Sequence, residues 1–370
     1  WSYTQVSLAT SLRGLEMGIF APVVGFLVDR FGSRRLLLGG AVIIGAGMIL
    51  LSLIQSLPMF YLCILFLAFG WGGCASVVTM TAVAIWFRKR IGLALGLTAC
   101  GFGAGGLIIP LIVYLIDAAG WRSTLVFLGV GMWILGIPLA FVIRERSAEW
   151  GSGADPADSE PDATALRNAG PEREEADFLT IIRQRSFMYL VIAETVRLMA
   201  VNAVITHLMP CLSLSGISRS AAGAVATALP VVSIAGRVGF GWLGDRIDKR
   251  AAWAITFFCM GAGVLAFCHV RSLWALLLFI LLFAPGFGGG MVLRGVILQR
   301  FFGMGSFGKM LGVLLGFGSV GGIIGPTLAG WVFDHWGSYL PVWYMLSAAS
   351  MAAILLIARI RPVASTRDEG

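Results

Sequence analysis

The sequence predicts an all-α, polytopic membrane protein of two pseudo-symmetric six-helix bundles, the first helix being absent from this chain. Three observations predict it. Hydrophobic residues make up 58% of the 370 and charged residues only 12%, against about 45–50% and about 25% in soluble domains. Apolar runs of membrane-spanning length follow one another along the chain, and the mean hydropathy is +0.89. The glycines and a proline of the first part recur at a constant offset of 216 residues in the second.

Apolar stretches set against charged and Gly/Pro punctuation give eleven spans, at approximately 3–28, 35–55, 59–87, 91–117, 122–143, 186–213, 219–243, 251–269, 272–302, 309–333 and 339–358. Ser2-Tyr3-Thr4-Gln5 fits a capping box at the start of the first. Residues 151–176 are rich in Gly, Ala, Pro, Asp and Glu with almost nothing to bury, so 145–184 is expected to be a largely disordered linker. It separates an N-terminal bundle (1–144) from a C-terminal bundle (185–360), and 361–370 form a tail.

Loop charge sets the expected orientation. One set of links carries Arg30, Arg34 and Arg35, then Arg88, Lys89 and Arg90, then Arg246, Lys249 and Arg250, then Arg300 and Lys309. The alternate links carry Arg122, Arg219 and Arg271. The first set is therefore cytoplasmic, together with the linker and the C-terminus, in a cell inner (plasma) membrane. Trp1 falls outside.

The net charge of +8 resides in short links rather than in a basic stripe with interleaved aromatics, so no nucleic-acid partner is expected. The bilayer is the partner instead. Cys63, Cys74, Cys100, Cys211, Cys259 and Cys268 all lie in apolar segments and form no CxxC pair, which favours small packing residues over zinc or redox chemistry.

The repeat is specific. Gly25-Phe26-Leu27-Val28-Asp29-Arg30 matches Gly241-Trp242-Leu243-Gly244-Asp245-Arg246. The same offset carries Gly70, Gly72 and Gly73 onto Gly286, Gly288 and Gly289, Gly96 onto Gly312, Gly105-Gly106 onto Gly321-Gly322, and Pro110 onto Pro326. Two homologous parallel halves are a known transporter plan. The span 186–213 has its counterpart before residue 1, so the repeat and the loop charge both lead to an expectation of twelve spans.

Gly25-x-x-x-Asp29-Arg30-x-Gly32-x-Arg34-Arg35 resembles the signature of the major facilitator superfamily. Gly241-x-x-x-Asp245-Arg246 is its weaker copy, with Asp248 where the first copy has Gly32. Trp1-Ser2, Trp86-Phe87-Arg88-Lys89-Arg90 and Gly325-Pro326 with Asp334 and Gly337 resemble the monocarboxylate-porter-like and oxalate/formate-antiporter-like branch. The resemblance implies the major facilitator fold and a conformational latch formed by Gly25, Asp29, Arg30, Arg34, Gly241, Asp245 and Arg246. Asp29 at a helix end can accept N–H bonds at a neighbouring helix N-terminus, where the dipole favours an anion. Simple topogenic charge is the alternative.

Ionisable groups within spans need a partner or a function. Arg13 and Glu16 stand three apart, as do Glu194 and Arg197, which places each pair on one helix face. They are either self-satisfied ion pairs or proton-coupling groups. Arg237 and Arg294 have no acid nearby in their own helices and cannot shed their protons, so each requires another helix or an anion. In the branch resembled, an arginine at the place of Arg237 binds the substrate carboxylate, and a guanidinium fork suits that task. Ser233, one turn earlier, departs from the aspartate usual in animal monocarboxylate porters. Arg294 is a second substrate-binding candidate, or else an interhelical salt bridge. His207 is a proton-coupling candidate or a packed histidine beside Pro210.

Gly101-Phe102-Gly103-Ala104-Gly105-Gly106 contains GxGxxG but sits mid-span, so close helix contact is preferred to dinucleotide binding. Gly92-x-x-x-Gly96 and Gly312-x-x-x-Gly316 read the same way. No enzyme chemistry, metal or cofactor is expected. The expected function is secondary transport of a small organic anion, monocarboxylate-like, by alternating access in a monomer, coupled to protons or to anion exchange. A proton-driven exporter of drug-like compounds and a non-transporting sensor or channel are the rivals.

Overall fold

The computed structural model describes residues 20–87, 90–143, 178–270, 273–303 and 306–362. Arg13, Glu16, the capping box, most of the expected linker and the end of the tail lie outside the described residues. Helix α1 (20–31) turns at Gly32 into α2 (Ser33–Ser52). Then come α3 (Leu57–Cys74), α4 (Ser76–Trp86), α5 (Ile91–Ala104) and α6 (Ile109–Val142). The second half contains α7 (Arg185–Leu214), α8 (Arg219–Arg246), α9 (Lys249–Phe267), α10 (Leu273–Phe302), α11 (Phe307–Trp336) and α12 (Leu340–Ala358). Among the described residues there is no strand, and nine helical stretches are long and apolar enough to cross a membrane. A helix lets such an apolar segment satisfy its backbone N–H and C=O internally, without water.

The local chemistry explains the boundaries. The Ser218 hydroxyl accepts from Ala221 N (3.3 Å) at the start of α8, and the Asp248 carboxylate accepts from Arg250 N (2.8 Å) at the start of α9. Gly337 ends α11 in the left-handed region (φ 61°), its N–H bonded to Phe333 O at 2.7 Å. Two expected spans are interrupted. The span 59–87 is broken at Ala75, which is extended (φ −70°, ψ 176°) and joins α3 to α4. The span 91–117 is α5, a 3₁₀ turn at Gly105–Ile108 and the first part of α6, and the next span begins after Gly120. Gly120 has φ 79°, a conformation that glycine adopts without steric cost. Residues 178–182 form a short helical turn within the expected linker, and Phe178, Ile181 and Ile182 pack against the larger apolar cluster.

Packing divides the molecule into two halves joined at one end. In the first half α2 packs on α3 and α6; in the second, α7 packs on α11 and α12, α10 on α8 and α9, and α9 on α12. The larger apolar cluster takes residues from both halves, among them Val28, Val78, Ile91, Leu95, Trp253, Leu293 and Phe307. The other cluster is drawn from the second half alone, from Ala200 to Leu346. The first cluster surrounds the end that carries Asp29 and Asp245, hereafter the aspartate end.

Candidate substrate site and cross-bundle locks

Two of the helix pairs that meet across the halves are built on glycine. On α1 and α11, a Cβ added to Gly25 would collide with Gly308 O, and one added to Gly312 would collide with Ala21 O. On α5 and α8, a Cβ on Gly92 would collide with Gly241 O, one on Gly241 with Gly92 O, and one on Gly96 would lie 2.5 Å from Arg237 O. No residue with a side chain fits these positions without parting the helices. Each pair thus forms a seam of backbone against backbone.

An aspartate closes each seam. Asp29 accepts from Gly308 N (3.0 Å) and Lys309 N (2.7 Å) at the start of α11. Asp245 accepts from Gly92 N (2.8 Å) and Leu93 N (2.9 Å) at the start of α5. Both carboxylates therefore occupy helix N-termini, where unpaired N–H groups and the macrodipole favour an anion. The basic residues beside them stack on rings: Arg30 over Phe31 (5.4 Å), Arg34 over Phe141 (4.7 Å) and Arg246 over Trp242 (4.0 Å).

A third cross-half lock escaped the sequence reading. Gln299 on α10 is buried, and its Nε2 donates to Ala84 O (2.9 Å) and Phe87 O (3.4 Å). Ala84 lies in the last turn of α4 and Phe87 just after it, and carbonyls there lack intrahelical donors. The acceptors are backbone atoms, so no residue type in α4 advertises them.

The charges within the spans sort into two sites. The buried charged side chains among the described residues are Glu194, Arg197, Arg237 and Arg294. Arg197 grips Glu194 through two bonds, Nε to Oε2 (2.8 Å) and Nη2 to Oε1 (2.7 Å). Arg294 reaches from α10 to α7 and donates Nη1 to Glu194 Oε1 (2.6 Å). One carboxylate thus serves two guanidiniums, a fully buried triad with an excess positive charge. The i, i+3 pairing of Glu194 and Arg197 follows from spacing; the arrival of Arg294 from another helix is a tertiary fact.

Arg237 stands apart from that triad. Its Nη1 donates to Ala99 O (2.6 Å) on α5, across the bundle interface, and its guanidinium lies 5.9 Å from the centre of the Phe287 ring. It is 4% exposed, and its Nε is buried without a hydrogen-bond partner among the described residues. A Cβ on Gly288 would lie 3.1 Å from the Arg237 Cγ, so α10 is glycine where the stem of this side chain crosses it. The Ser233 hydroxyl turns back to Pro230 O (2.7 Å) within its own helix. The guanidinium is thus held by a neutral carbonyl.

His207 belongs to neither site. Its Nε2 faces Pro326 O (2.9 Å) and its Nδ1 faces the Tyr339 hydroxyl (3.0 Å), tying α7 to α11 and to the start of α12. A carbonyl only accepts, so Nε2 carries a proton.

The model of the Major Facilitator Superfamily matches residues 1–212 and 195–370. The chain belongs to the major facilitator superfamily. The transporter is 24% identical to the MFS transporter asaE of Aspergillus flavus, over 97% of this chain and 78% of that protein. It is 24% identical to monocarboxylate transporter 12 of Xenopus laevis, over 94% and 78%. Its fold matches that of the proton:xylose symporter XylE bound to 6-bromo-6-deoxy-D-glucose, with a TM-score of 0.73 at 14% identity, covering 97% of this chain and 88% of the other. The transporter therefore has the major facilitator fold and is similar in sequence to the monocarboxylate-porter-like branch.

Proposed function

We propose that the transporter moves a small organic anion, monocarboxylate-like, by alternating access between its two halves, and that Arg237 grips the carboxylate. One observation carries this reading. Three guanidiniums and one carboxylate are buried among the described residues, and the carboxylate is committed to Arg197 and Arg294. Among the described residues Arg237 has a carbonyl as its hydrogen-bond partner, and it keeps a permanent charge at membrane depth. A carboxylate arriving there would supply the missing charge and two parallel hydrogen bonds. The similarity to a protein named monocarboxylate transporter 12 points the same way.

Arg294 is assigned to the framework rather than to the substrate, because its Nη1 is already ion-paired with Glu194. Glu194 is assigned as the shared counter-ion of the triad, and His207 as a bridge between helices. Asp29 and Asp245 are assigned as latches. By the positive-inside rule the aspartate end faces the cytoplasm, so the seams close that side.

Uptake of radiolabelled pyruvate into vesicles tests the assignment. Arg237→Ala is expected to lower uptake by about 10–100-fold, the value of one or two charge-assisted bonds. Arg237→Lys keeps the charge but loses the fork, and falls between that variant and the parent. Uptake by Arg237→Ala equal to that of the parent would sink the reading. Uptake driven by an imposed pH gradient, compared with uptake driven by preloaded unlabelled anion, separates proton coupling from exchange.

A further inference from the structure

The two seams correspond residue by residue under the offset of 216: Gly25 with Gly241, Asp29 with Asp245, Gly92 with Gly308, and Gly96 with Gly312. The contacts correspond as well. Gly312 lies against Ala21 O, and Gly96 lies against Arg237 O. Ala21 and Arg237 are therefore equivalent positions, one with a methyl group and the other with a guanidinium. Only the second of these can reach across its seam, and it does so to Ala99 O.

From this juxtaposition we infer that Arg237 is a ligand-released tether: an anion that takes its guanidinium frees α5 from α8, while the described residues of the α1/α11 seam include no such release. The inference rests on the assignment of Arg237 as the anion's ligand. The competition is chemical. The Nη1 that donates to Ala99 O belongs to the fork that a carboxylate would take through two parallel bonds. A carboxylate outcompetes a neutral carbonyl for the guanidinium, because it brings the opposite charge and accepts two parallel bonds where the carbonyl accepts one.

The position of the tether makes its release consequential. Arg237 is eight residues before Asp245 on α8, about 12 Å along the helix. Asp245 fastens the seam at the aspartate end, and Arg237 fastens it at the deep end, next to Phe287 and Gly288. Anion binding would cut the deep fastening first and leave the Asp245 lock as the remaining restraint. The opening of the aspartate end would then start on one seam, with the other acting as the hinge.

Gly103 offers a way to loosen the tether without removing the charge. A Cβ there would lie 2.9 Å from Arg237 Nη1 and 3.0 Å from Ile234 Cγ1. Arg237 Nη1 is the far end of a flexible side chain and gives way more easily than the β-branched Ile234, so Gly103→Ala displaces the guanidinium from Ala99 with a shift of a few tenths of an ångström at Ile234.

The test measures each seam separately in the full chain, reconstituted in lipid vesicles after replacement of its six cysteines. Spin labels at Leu97→Cys and Gly239→Cys report on α5/α8, and labels at the equivalent Val313→Cys and Val23→Cys report on α1/α11. Leu97, Gly239 and Val23 are exposed, and Gly239 has open space for a side chain. Pyruvate is the probe. It is expected to lengthen the 97–239 distance and to leave the 23–313 distance as it was. In Arg237→Ala and in Gly103→Ala the 97–239 distance should be long before pyruvate is added, the short population falling about tenfold for the loss of one charge-assisted bond. If Arg237→Ala abolishes pyruvate uptake but pyruvate moves both label pairs equally, or neither, the tether is overturned and the anion assignment stands. A resting 97–239 distance in Gly103→Ala equal to the parent's also overturns it. If Arg237→Ala takes up pyruvate like the parent, the anion assignment falls and the tether falls with it.

Discussion

The α1/α11 seam and the α5/α8 seam are made of the same parts. Each has small residues that let backbone touch backbone, and each has an aspartate seated on the N-terminus of the opposite helix. They differ in what sits two turns deeper, Ala21 on one and Arg237 on the other. The shared parts hold the halves together at the aspartate end in this structure. The part that differs is the one we propose as the anion's ligand. On that proposal, duplication accounts for closure and departure from duplication for selectivity.

The comparison can be broken most severely at its shared parts. Gly92→Leu and Gly308→Leu each drive a side chain into the opposing helix, so each should lower transport by more than about tenfold, since overpacking a tight contact costs roughly 1–3 kcal/mol. Vesicle uptake, checked against the amount of folded protein, measures this. If one variant is inactive and the other is at the parent's level, the seams are not equivalent locks.

Asp29→Asn and Asp245→Asn come next. Each keeps one acceptor oxygen but loses the charge and one of the two N–H bonds at a helix N-terminus, a loss of about 1.5–3 kcal/mol. The closed fraction at the aspartate end, read by spin-label distance, should fall in each. In the double variant the two losses should add to within about 0.5 kcal/mol, as expected for separate sites. A larger coupling would mean that the seams open as one. Gln299→Leu in the same assay should cost about 1 kcal/mol, the net worth of a hydrogen bond, and should do so in either single-aspartate background.

The smallest effect concerns the turns behind the seams. Gly32 makes the turn after the first with a left-handed φ of 82°, whereas Asp248 makes the turn after the second by accepting from Arg250 N and Ala251 N. The Arg250 guanidinium, and then these backbone donors, hold the Asp248 carboxyl below the usual carboxylate range. A carboxyl depressed in the folded state contributes stability above its unfolded value, and that contribution is lost as pH falls through the folded value. Asp248 is half exposed, so the effect is modest. Asp248→Ala should lower thermal stability by about 1 kcal/mol at neutral pH and flatten the acid side of the stability profile. Gly32→Ala has no such pH dependence.

Much of this was legible in the sequence because it was written twice. The offset of 216 residues singled out Gly25, Gly96, Gly241 and Gly312, and the fit of an aspartate to a helix N-terminus is general chemistry. Span positions followed from apolar runs, and Gly120 separates two spans where punctuation placed the boundary. Other features left no trace. Ala75 breaks its span with neither glycine nor proline at the break. Gln299 matches Val83 under the offset, so the repeat is silent about it. Ala99 and Ala84 take part through carbonyls, which every residue has. Arg294 was visible as a charge in need of a partner, but the choice of Glu194 depends on how α7 and α10 lie together.

The donors on which Asp29 and Asp245 rest are backbone amides of Gly308, Lys309, Gly92 and Leu93. A lock of this kind has a receiving half that side-chain scanning does not register. Alanine at Leu93 or Lys309 leaves the N–H in place, and a mutational map of α5 and α11 would score both positions as tolerant. Proline is the one substitution that deletes the donor. Tolerance at these two positions would therefore measure the independence of the lock from side chains, not its irrelevance.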